Sequence, residues 1–355
     1  MPTTTNEYVV GLLYPQSGPA GLFGPSCLTS ARLAVDDVNA RGGILGRQVR
    51  IEAIDASVAV AGAAGSVAGL VESDRIQAVV GWHRSDVRRA VARRLDRRVP
   101  YVYTALYEGG EHTEGLWLTG ETPRQQVLPA LRWLRDELAV RRWFVVGSEY
   151  LWPRRTAAAC HNYARTLGVQ ICGEAYRAVG TEAYDDVLTM IEASGATGVI
   201  QLQLGQDAVH FNRQFAALGL AAGIVRFSPL MDESMLLASG PDATADLFVA
   251  SGYFGSLVTD AAMDFGSRYF GAYGPDACPP SAMGESCMEG LLLLESLVNG
   301  AGSTAVDDLL SCARPTRYDG PRGSLALRSA HTDQPVYLAA AAGCDFDVLT
   351  TLPRG

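Results

Sequence analysis

Residues 31–47 read ARLAVDDVNARGGILGR and contain a helix, its end and the approach to a strand. Apolar residues recur at helical spacing, at Leu28, Ala31, Val35 and Val38. Gly42 and Gly43 then end the pattern as a C-terminal cap does. The β-prone apolar run 8–13 precedes this helix, and residues 47–55 alternate like a strand after it. Strand, helix and strand in this order indicate an α/β unit.

The same alternation continues outward through the next fifty residues. A helix is predicted over 59–71, a buried strand over 76–80, a helix over 85–95 and a strand over 99–103. The strands are continuously apolar, which is typical of a parallel sheet covered on both faces.

A second alternating series begins after Thr119-Gly-Glu-Thr-Pro123, and helices followed by a C-terminal hairpin (334–341 and 346–352) complete the chain. We expect an α/β protein with two doubly wound parallel-sheet lobes joined by a hinge of three crossings, near Gly120, Ser251-Gly252 and Gly323. The predicted lobes are residues 1–120 plus 252–323 and residues 121–251 plus 324–355.

The amino-acid composition excludes several classes of function. The chain has 355 residues, 48% apolar and 19% charged, with a net charge of −9, so nucleic acid is not an expected partner. All 29 basic residues are arginine. The absence of lysine from the sequence excludes a lysine Schiff base and the lysine of a phosphate-binding P-loop. No cofactor is expected.

The seven cysteines form no CxxC pair, so a zinc site is not expected and reduced thiols are favoured. A disulfide of Cys278 with Cys287 or Cys312 remains open. The first eight residues have neither the basic nor the apolar region of an export signal, which favours a cytoplasmic protein as written. A chain trimmed of its signal would look the same and would be periplasmic or lipid-anchored. No segment is apolar enough for membrane insertion.

Several segments resemble type I periplasmic-binding-protein receptors, the leucine/isoleucine/valine-binding-like proteins, and within them the amide-binding branch. This branch includes the amide sensor of aliphatic amidase operons and the short-chain amide or urea receptors of ABC transporters. The resemblance lies in residues 31–47 with Asp55, in 79–90, in 103–109 and in 145–154. It implies a cleft between two lobes, where loops at the carboxyl ends of the strands meet a ligand.

Five candidate ligand contacts lie in the first lobe: Ser85, His83, Tyr103, Thr104 and Ala105. Ser85 follows a strand and begins a helix, so its hydroxyl suits a ligand carbonyl, although it is also placed to cap that helix. Tyr103 is placed to donate its phenol or to pack as a core residue. The resemblance puts a tyrosine at His83 and a threonine at Ala105, and Thr104 offers a nearby hydroxyl in place of the latter.

The second lobe and the hinge contribute four more candidates: Tyr150, Trp152, Gln203 and Tyr253. The resemblance implies that Tyr150 and Trp152 close over the ligand, with Trp152 standing where the branch has a tyrosine. Gln203 ends a strand, where its amide can pair with a ligand amide or form a structural hydrogen bond. Tyr253 is near a crossing and either contacts ligand or packs in the hinge.

We expect a clamshell receptor that closes around a small polar molecule, with a short amide favoured over urea or an amino acid. Its partner would be an RNA-binding antiterminator in an amide sensor, or an ABC permease in a transporter component. A hydrolase using Ser85 with His83 is the opposing hypothesis. Because two residues this close on one loop do not readily form a base and nucleophile pair, no catalytic residue is assigned.

Overall fold

Strands and helices alternate through the first third of the chain in the computed structural model, which describes residues 7–312 and 316–354. They are β1 (Glu7–Tyr14), α1 (Gly24–Ala40), β2 (Gln48–Asp55), α2 (Val60–Glu72), β3 (Ala78–Gly81), α3 (Ser85–Leu95), β4 (Tyr101–Tyr103) and β5 (Leu116–Leu118). The apolar strand β1 is buried because helices cover both faces of its sheet.

The middle of the chain repeats this pattern. Its elements are α4 (Pro123–Leu138), β6 (Arg142–Ser148), α5 (Leu151–Leu167), β7 (Gln170–Arg177), α6 (Asp185–Ser194), β8 (Gly198–Leu202), α7 (Gln206–Ala217), β9 (Val225–Ser228), α8 (Glu233–Ser239) and β10 (Leu247–Ser251). The predicted helices and strands of this region are present, and β10 and α8 are additional to them.

The last third begins with three helices and ends with five strands. These are α9 (Asp260–Tyr273), α10 (Ala282–Ala301), α11 (Val306–Ser311), β11 (Arg317–Gly320), β12 (Gly323–Arg328), β13 (His331–Thr332), β14 (Tyr337–Ala342) and β15 (Asp345–Thr351). The predicted C-terminal hairpin is confirmed as β14 and β15, which pair antiparallel.

Two sheets define two lobes. The first has eight strands in the order β11-β12-β13-β5-β4-β3-β1-β2, and the second has seven in the order β15-β14-β10-β9-β8-β6-β7. The chain therefore changes sheet three times, as the predicted hinge requires. Helix α10 packs against α1 and lies beside β3 and β4, which places it on the first lobe.

Both sheets are parallel at the centre and antiparallel at one edge, which in the second sheet is the predicted hairpin. Strands β11, β12 and β13 pair antiparallel with one another, and so do β10, β14 and β15. Short turns join most of these strands, and such turns reverse the chain, whereas a parallel pair needs a long crossover.

The third hinge crossing also differs from the prediction. Strands β12 and β13 belong to the first sheet, where His331 pairs with Leu118, so the chain leaves this lobe after Thr332 and not near Gly323. The antiparallel strands β11, β12 and β13 keep the chain in the first sheet as far as Thr332. The other boundaries of the predicted lobes stay a prediction.

The structure adds three further observations. All seven cysteines are free thiols. Across residues 7–312 and 316–354, no helix is both long and apolar enough to cross a bilayer. Within the same ranges, no cluster of histidine, cysteine or carboxylate side chains is arranged to hold a metal ion. The segment 1–6, which bears on the expected localisation, lies outside the described residues.

Candidate functional site

A small cavity of about 10 Å³ lies between the lobes at the carboxyl ends of their strands. We call it the outer cavity. Its walls are formed in the first lobe by Trp82, His83, Arg84, Ser85, Tyr103, Ala105 and Leu106, and in the second lobe by Tyr150, Trp152 and Leu230. Loops at the carboxyl ends of parallel strands are the usual ligand site of open α/β sheets.

The loop from β3 to α3 brings Ser85 to this cavity. Gly81, at the end of β3, has a φ of 158°, and a Cβ there would lie 2.0 Å from the carbonyl oxygen of Leu13, so only glycine permits the tight exit from the strand. Ser85 is the first residue of α3 and is 1% exposed. Its Oγ has no hydrogen-bond partner among the described residues. Ser85 therefore does not cap its helix, and its hydroxyl group has no partner within the described chain.

His83 is held in place by its neighbours. Its Nε2 lies 2.8 Å from the Tyr101 hydroxyl, and its Nδ1 lies 3.1 Å from the carbonyl oxygen of Arg84. Burial lowers the pKa of His83 to about 3, so the ring is neutral at physiological pH. Because both ring nitrogens are engaged, neither is available to accept a proton from Ser85, and the hydrolase hypothesis finds no general base here.

Tyr103 lines the cavity with its ring rather than with a free hydroxyl. Its Oη donates a hydrogen bond of 2.7 Å to the carbonyl oxygen of His83, and burial raises its pKa. The phenol hydroxyl therefore already has a hydrogen-bond acceptor within the protein. Ala105 adds a small apolar surface beside it.

Tyr150 and Trp152, at the start of α5, form the second-lobe side of the cavity. Their rings are roughly parallel, with centroids 6.4 Å apart. Trp152 is 3% exposed, and its Nε1 has no partner within the described part of the chain. The Arg84 guanidinium lies over the Tyr150 ring, 5.6 Å from its centroid, and so connects the lobes.

The electrostatics of the outer cavity favour an oxygen-rich group. The N-termini of α3 and α5 both face it, and each carries the partial positive charge of unsatisfied backbone N–H groups. Arg84 is the one charged side chain in the described lining, and Asp86, at 2.8 Å, neutralises it in part. The lining contains neither aspartate nor glutamate among the residues described.

Three predicted contacts lie away from this cavity. Thr104 accepts a hydrogen bond of 3.2 Å from Ser286 and faces a neighbouring cavity. Tyr253 is 2% exposed and packs edge-on against Phe265. Gln203 is 1% exposed, and neither end of its amide has a partner among the described residues, yet it is not part of the lining.

Sequence reasoning missed four residues of the lining: Trp82, Arg84, Leu106 and Leu230. Trp82 packs edge-on against Phe23, with 4.7 Å between the ring centroids. Leu230 lies two residues after the end of β9, so the strand-end rule that selected Ser85 also applies to it.

A family model and a known protein are similar to this chain. A family model described as periplasmic binding protein matches residues 7–345. The "Amino acid binding protein" of Pseudomonas aeruginosa is 24% identical over 259 residues, which cover 72% of this chain and 69% of that protein.

Solved structures share the fold. A solute-binding protein of an ABC transporter from R. palustris, in complex with benzoate, is similar with a TM-score of 0.84, 20% identity and coverage of 97% of this chain and 96% of that one. The branched-chain amino acid transporter protein LivJ of Streptococcus pneumoniae, in complex with isoleucine, gives a TM-score of 0.84 at 18% identity, with 97% and 99% covered.

These findings confirm the predicted fold and the predicted non-enzymatic class, whereas the amide-binding branch stays a prediction. The chain belongs to the periplasmic binding protein family, as a ligand-binding protein with the type I fold.

Proposed function

We propose that the chain is the solute-binding component of an ABC transporter and that its outer cavity binds the carboxylate of a small aromatic acid. The observation that carries this proposal is the buried hydroxyl of Ser85, unpartnered within the described residues, at a cavity where two helix N-termini meet aromatic rings. This combination suits a planar anion better than a cation.

The carboxylate assignment follows from the polar groups. Ser85 Oγ and Trp152 Nε1 are hydrogen-bond donors without partners among the described residues, and Arg84 adds a positive charge. A carboxylate accepts several hydrogen bonds at once, and charge-assisted bonds are about twice as strong as neutral ones. When the lobes separate to admit a ligand, the rings of Tyr103, Tyr150 and Trp152 provide apolar surface for its aromatic body.

An α-amino acid is a weaker candidate for this cavity. Its ammonium group needs a nearby carboxylate once buried, and the described lining offers none. The benzoate in the R. palustris structure supports the aromatic acid, whereas the name of the Pseudomonas aeruginosa relative and the isoleucine in LivJ support the amino acid.

A short amide is the remaining candidate. Its carbonyl would accept from Ser85 as a carboxylate does, but it brings no charge for Arg84 and the helix N-termini. With such a ligand the chain would be an amide sensor, and its partner an RNA-binding antiterminator. With a transported solute the partner is an ABC permease, and the site of action is outside the cytoplasmic membrane.

Calorimetric titration with benzoate, benzamide, acetamide, urea and isoleucine tests these ligands directly. We expect saturable binding of benzoate and binding of benzamide at least tenfold weaker, because the amide lacks the charge. Tight binding of acetamide, urea or isoleucine with no binding of benzoate would overturn the proposal. Co-purification with a permease rather than an RNA-binding protein tests the partner.

A further inference from the structure

The start of α8 lies at the boundary between the two lobes. Helix α8 follows β9 of the second sheet and packs against the turn Pro19–Phe23, which leads into α1 of the first lobe. Asp232 immediately precedes α8, and Ser281 immediately precedes α10 on the first lobe. The Ser281 hydroxyl lies beside the Asp232 carboxyl group. Opening of the lobes would therefore separate these two side chains and admit water between them.

One oxygen of the Asp232 carboxyl group has no partner. Its Oδ1 accepts a hydrogen bond of 2.9 Å from the Met235 backbone N–H and so caps α8. Its Oδ2 is buried without a hydrogen-bond partner among the described residues, and the residue is 1% exposed. The Ser281 hydroxyl donates its own proton to Ser26 Oγ, at 3.2 Å. A charged carboxylate at this position would keep one buried oxygen unpaired, which is unfavourable.

The groups that face Asp232 supply no positive charge within the described chain. The turn Pro19–Phe23 has no charged residue. At the far end of α8, Arg213 of α7 donates to the carbonyl oxygens of Ala238 and Ser239, and Asp242 follows the helix. The groups around Asp232 and its neighbour in the chain are neutral or acidic: the Cys27 thiol, the Tyr253 phenol, Glu233, Glu285 and Asp345. Burial raises the pKa of Asp232 to about 6.

Protonation would convert the unpaired oxygen of Asp232 into a donor. A neutral carboxyl group carries one O–H, and the hydroxyl oxygen of Ser281 has lone pairs that can accept. A proton on Oδ2 thus allows a direct bond between the lobes. In an open form, water would hydrate the carboxyl group and return its pKa towards the ordinary value of about 4. Because the closed form then binds more protons than the open form, closure becomes less favourable as the pH rises through about 6.

We propose that Asp232 is a pH-sensitive switch of lobe closure, in which its protonated carboxyl group donates a hydrogen bond to Ser281 across the lobes and loss of the proton favours opening. The solute is then held more tightly in acid and released more readily near neutral pH. This inference goes beyond the proposed function and does not depend on the identity of the solute, because Asp232 is not part of the lining of the outer cavity.

Small-angle scattering of the ligand-free full chain at pH 5 and pH 7.5 tests the switch. We expect a larger radius of gyration at pH 7.5. Asp232→Asn places an N–H donor where the proton would be at both pH values, and its amide oxygen can still cap α8. This variant should keep the smaller radius throughout. Asp242→Asn, an exposed change of the same kind, is the control and should respond to pH as the unaltered chain does.

Calorimetry with benzoate measures the same coupling through affinity. We expect the dissociation constant to rise about five- to tenfold from pH 5 to pH 7.5 in the unaltered chain and in Asp242→Asn, and less than about twofold in Asp232→Asn. Equal radii at the two pH values in the unaltered chain, or an equal increase in Asp232→Asn, would overturn the switch. The scattering needs no ligand, so failure of benzoate to bind would count against the proposed function alone.

Discussion

The guanidinium of Arg84 in the first lobe lies over the ring of Tyr150 in the second, with its central carbon 5.6 Å from the ring centroid. Arg84 precedes α3 and Tyr150 precedes α5, so the contact joins the starts of the two helices that face the outer cavity. Because it bridges the lobes, it stabilises the closed arrangement relative to an open one.

Replacing Arg84 by glutamine should therefore weaken ligand binding. Loss of the cation–π contact alone costs about 0.5–1 kcal/mol, roughly two- to fivefold in affinity, and loss of the positive charge beside a bound carboxylate adds to it. Titration calorimetry measures the affinity, and small-angle scattering should report a larger radius of gyration without ligand. Arg154→Gln is the matched control, because Arg154 lies over Tyr176 within one lobe. Equal losses in the two variants would contradict a role in closure.

Ser85→Ala should separate binding from stability. In the ligand-free chain its Oγ has no partner among the described residues, so the melting temperature should not fall. Affinity for the best ligand should drop by about 1–3 kcal/mol, because a buried ligand oxygen loses its donor. Ser148→Ala should instead lower the melting temperature and leave the affinity unchanged. Ser148 donates to Asp207 at 2.8 Å and accepts from the Leu204 N–H at 3.0 Å. Unchanged affinity in Ser85→Ala would remove Ser85 from the site.

The parts of this structure that were predicted from sequence depend on local spacing. Helix α1 was found because its apolar positions repeat over one turn, and Tyr150 because the segment that contains it resembles a known family. Strand β5 was missed because three residues, Leu116–Leu118, are too few for an alternating pattern.

Other features depend on contacts between distant parts of the chain. Arg322 lies 201 residues from Glu121, and no local pattern indicates that they meet at the hinge. Tyr103 ends its strand as predicted, but its hydroxyl donates a hydrogen bond to the carbonyl oxygen of His83. No local pattern in the sequence indicates this bond.

The free energy of unfolding should decrease as the pH rises, because Glu233 is buried. It is 5% exposed, and burial and the neighbouring Asp232 raise its pKa to about 8. Between pH 4.5 and 8 the folded chain holds a proton that the unfolded chain has released, so the free energy of unfolding decreases across this window, on the order of 2–4 kcal/mol. Glu233→Gln keeps an acceptor for the Gly255 N–H and should reduce this dependence.

Urea denaturation at pH 5 and pH 8 measures the effect of Glu233. The unaltered chain and the exposed control Glu137→Gln should lose stability alike between the two pH values, and Glu233→Gln should lose less. The same pH dependence in all three proteins would show that Glu233 does not hold its proton in the folded chain.

Arg322→Ala should destabilise the hinge more than any surface arginine does. The side chain is 2% exposed and lies within 4 Å of carboxylate oxygens of Glu121, Glu285 and Glu289, of which the last two are 1% and 0% exposed. Removing the arginine leaves buried negative charges without a partner, which costs about 3–5 kcal/mol. Burial also raises the pKa of Glu285, so part of the charge is relieved by protonation.

Urea denaturation compares this variant with Arg354→Ala. The pair of Arg354 with Asp333 is 71% and 34% exposed, and such surface pairs contribute about 0–1 kcal/mol. Arg322 also donates to the Thr119 carbonyl, so its loss removes one link at the first crossing, where Thr332 and Gln334 of the third crossing still donate to the same carbonyl. A loss no larger than that of Arg354→Ala would mean that the carboxylates are neutralised by protons alone, and that the hinge is held by its backbone contacts.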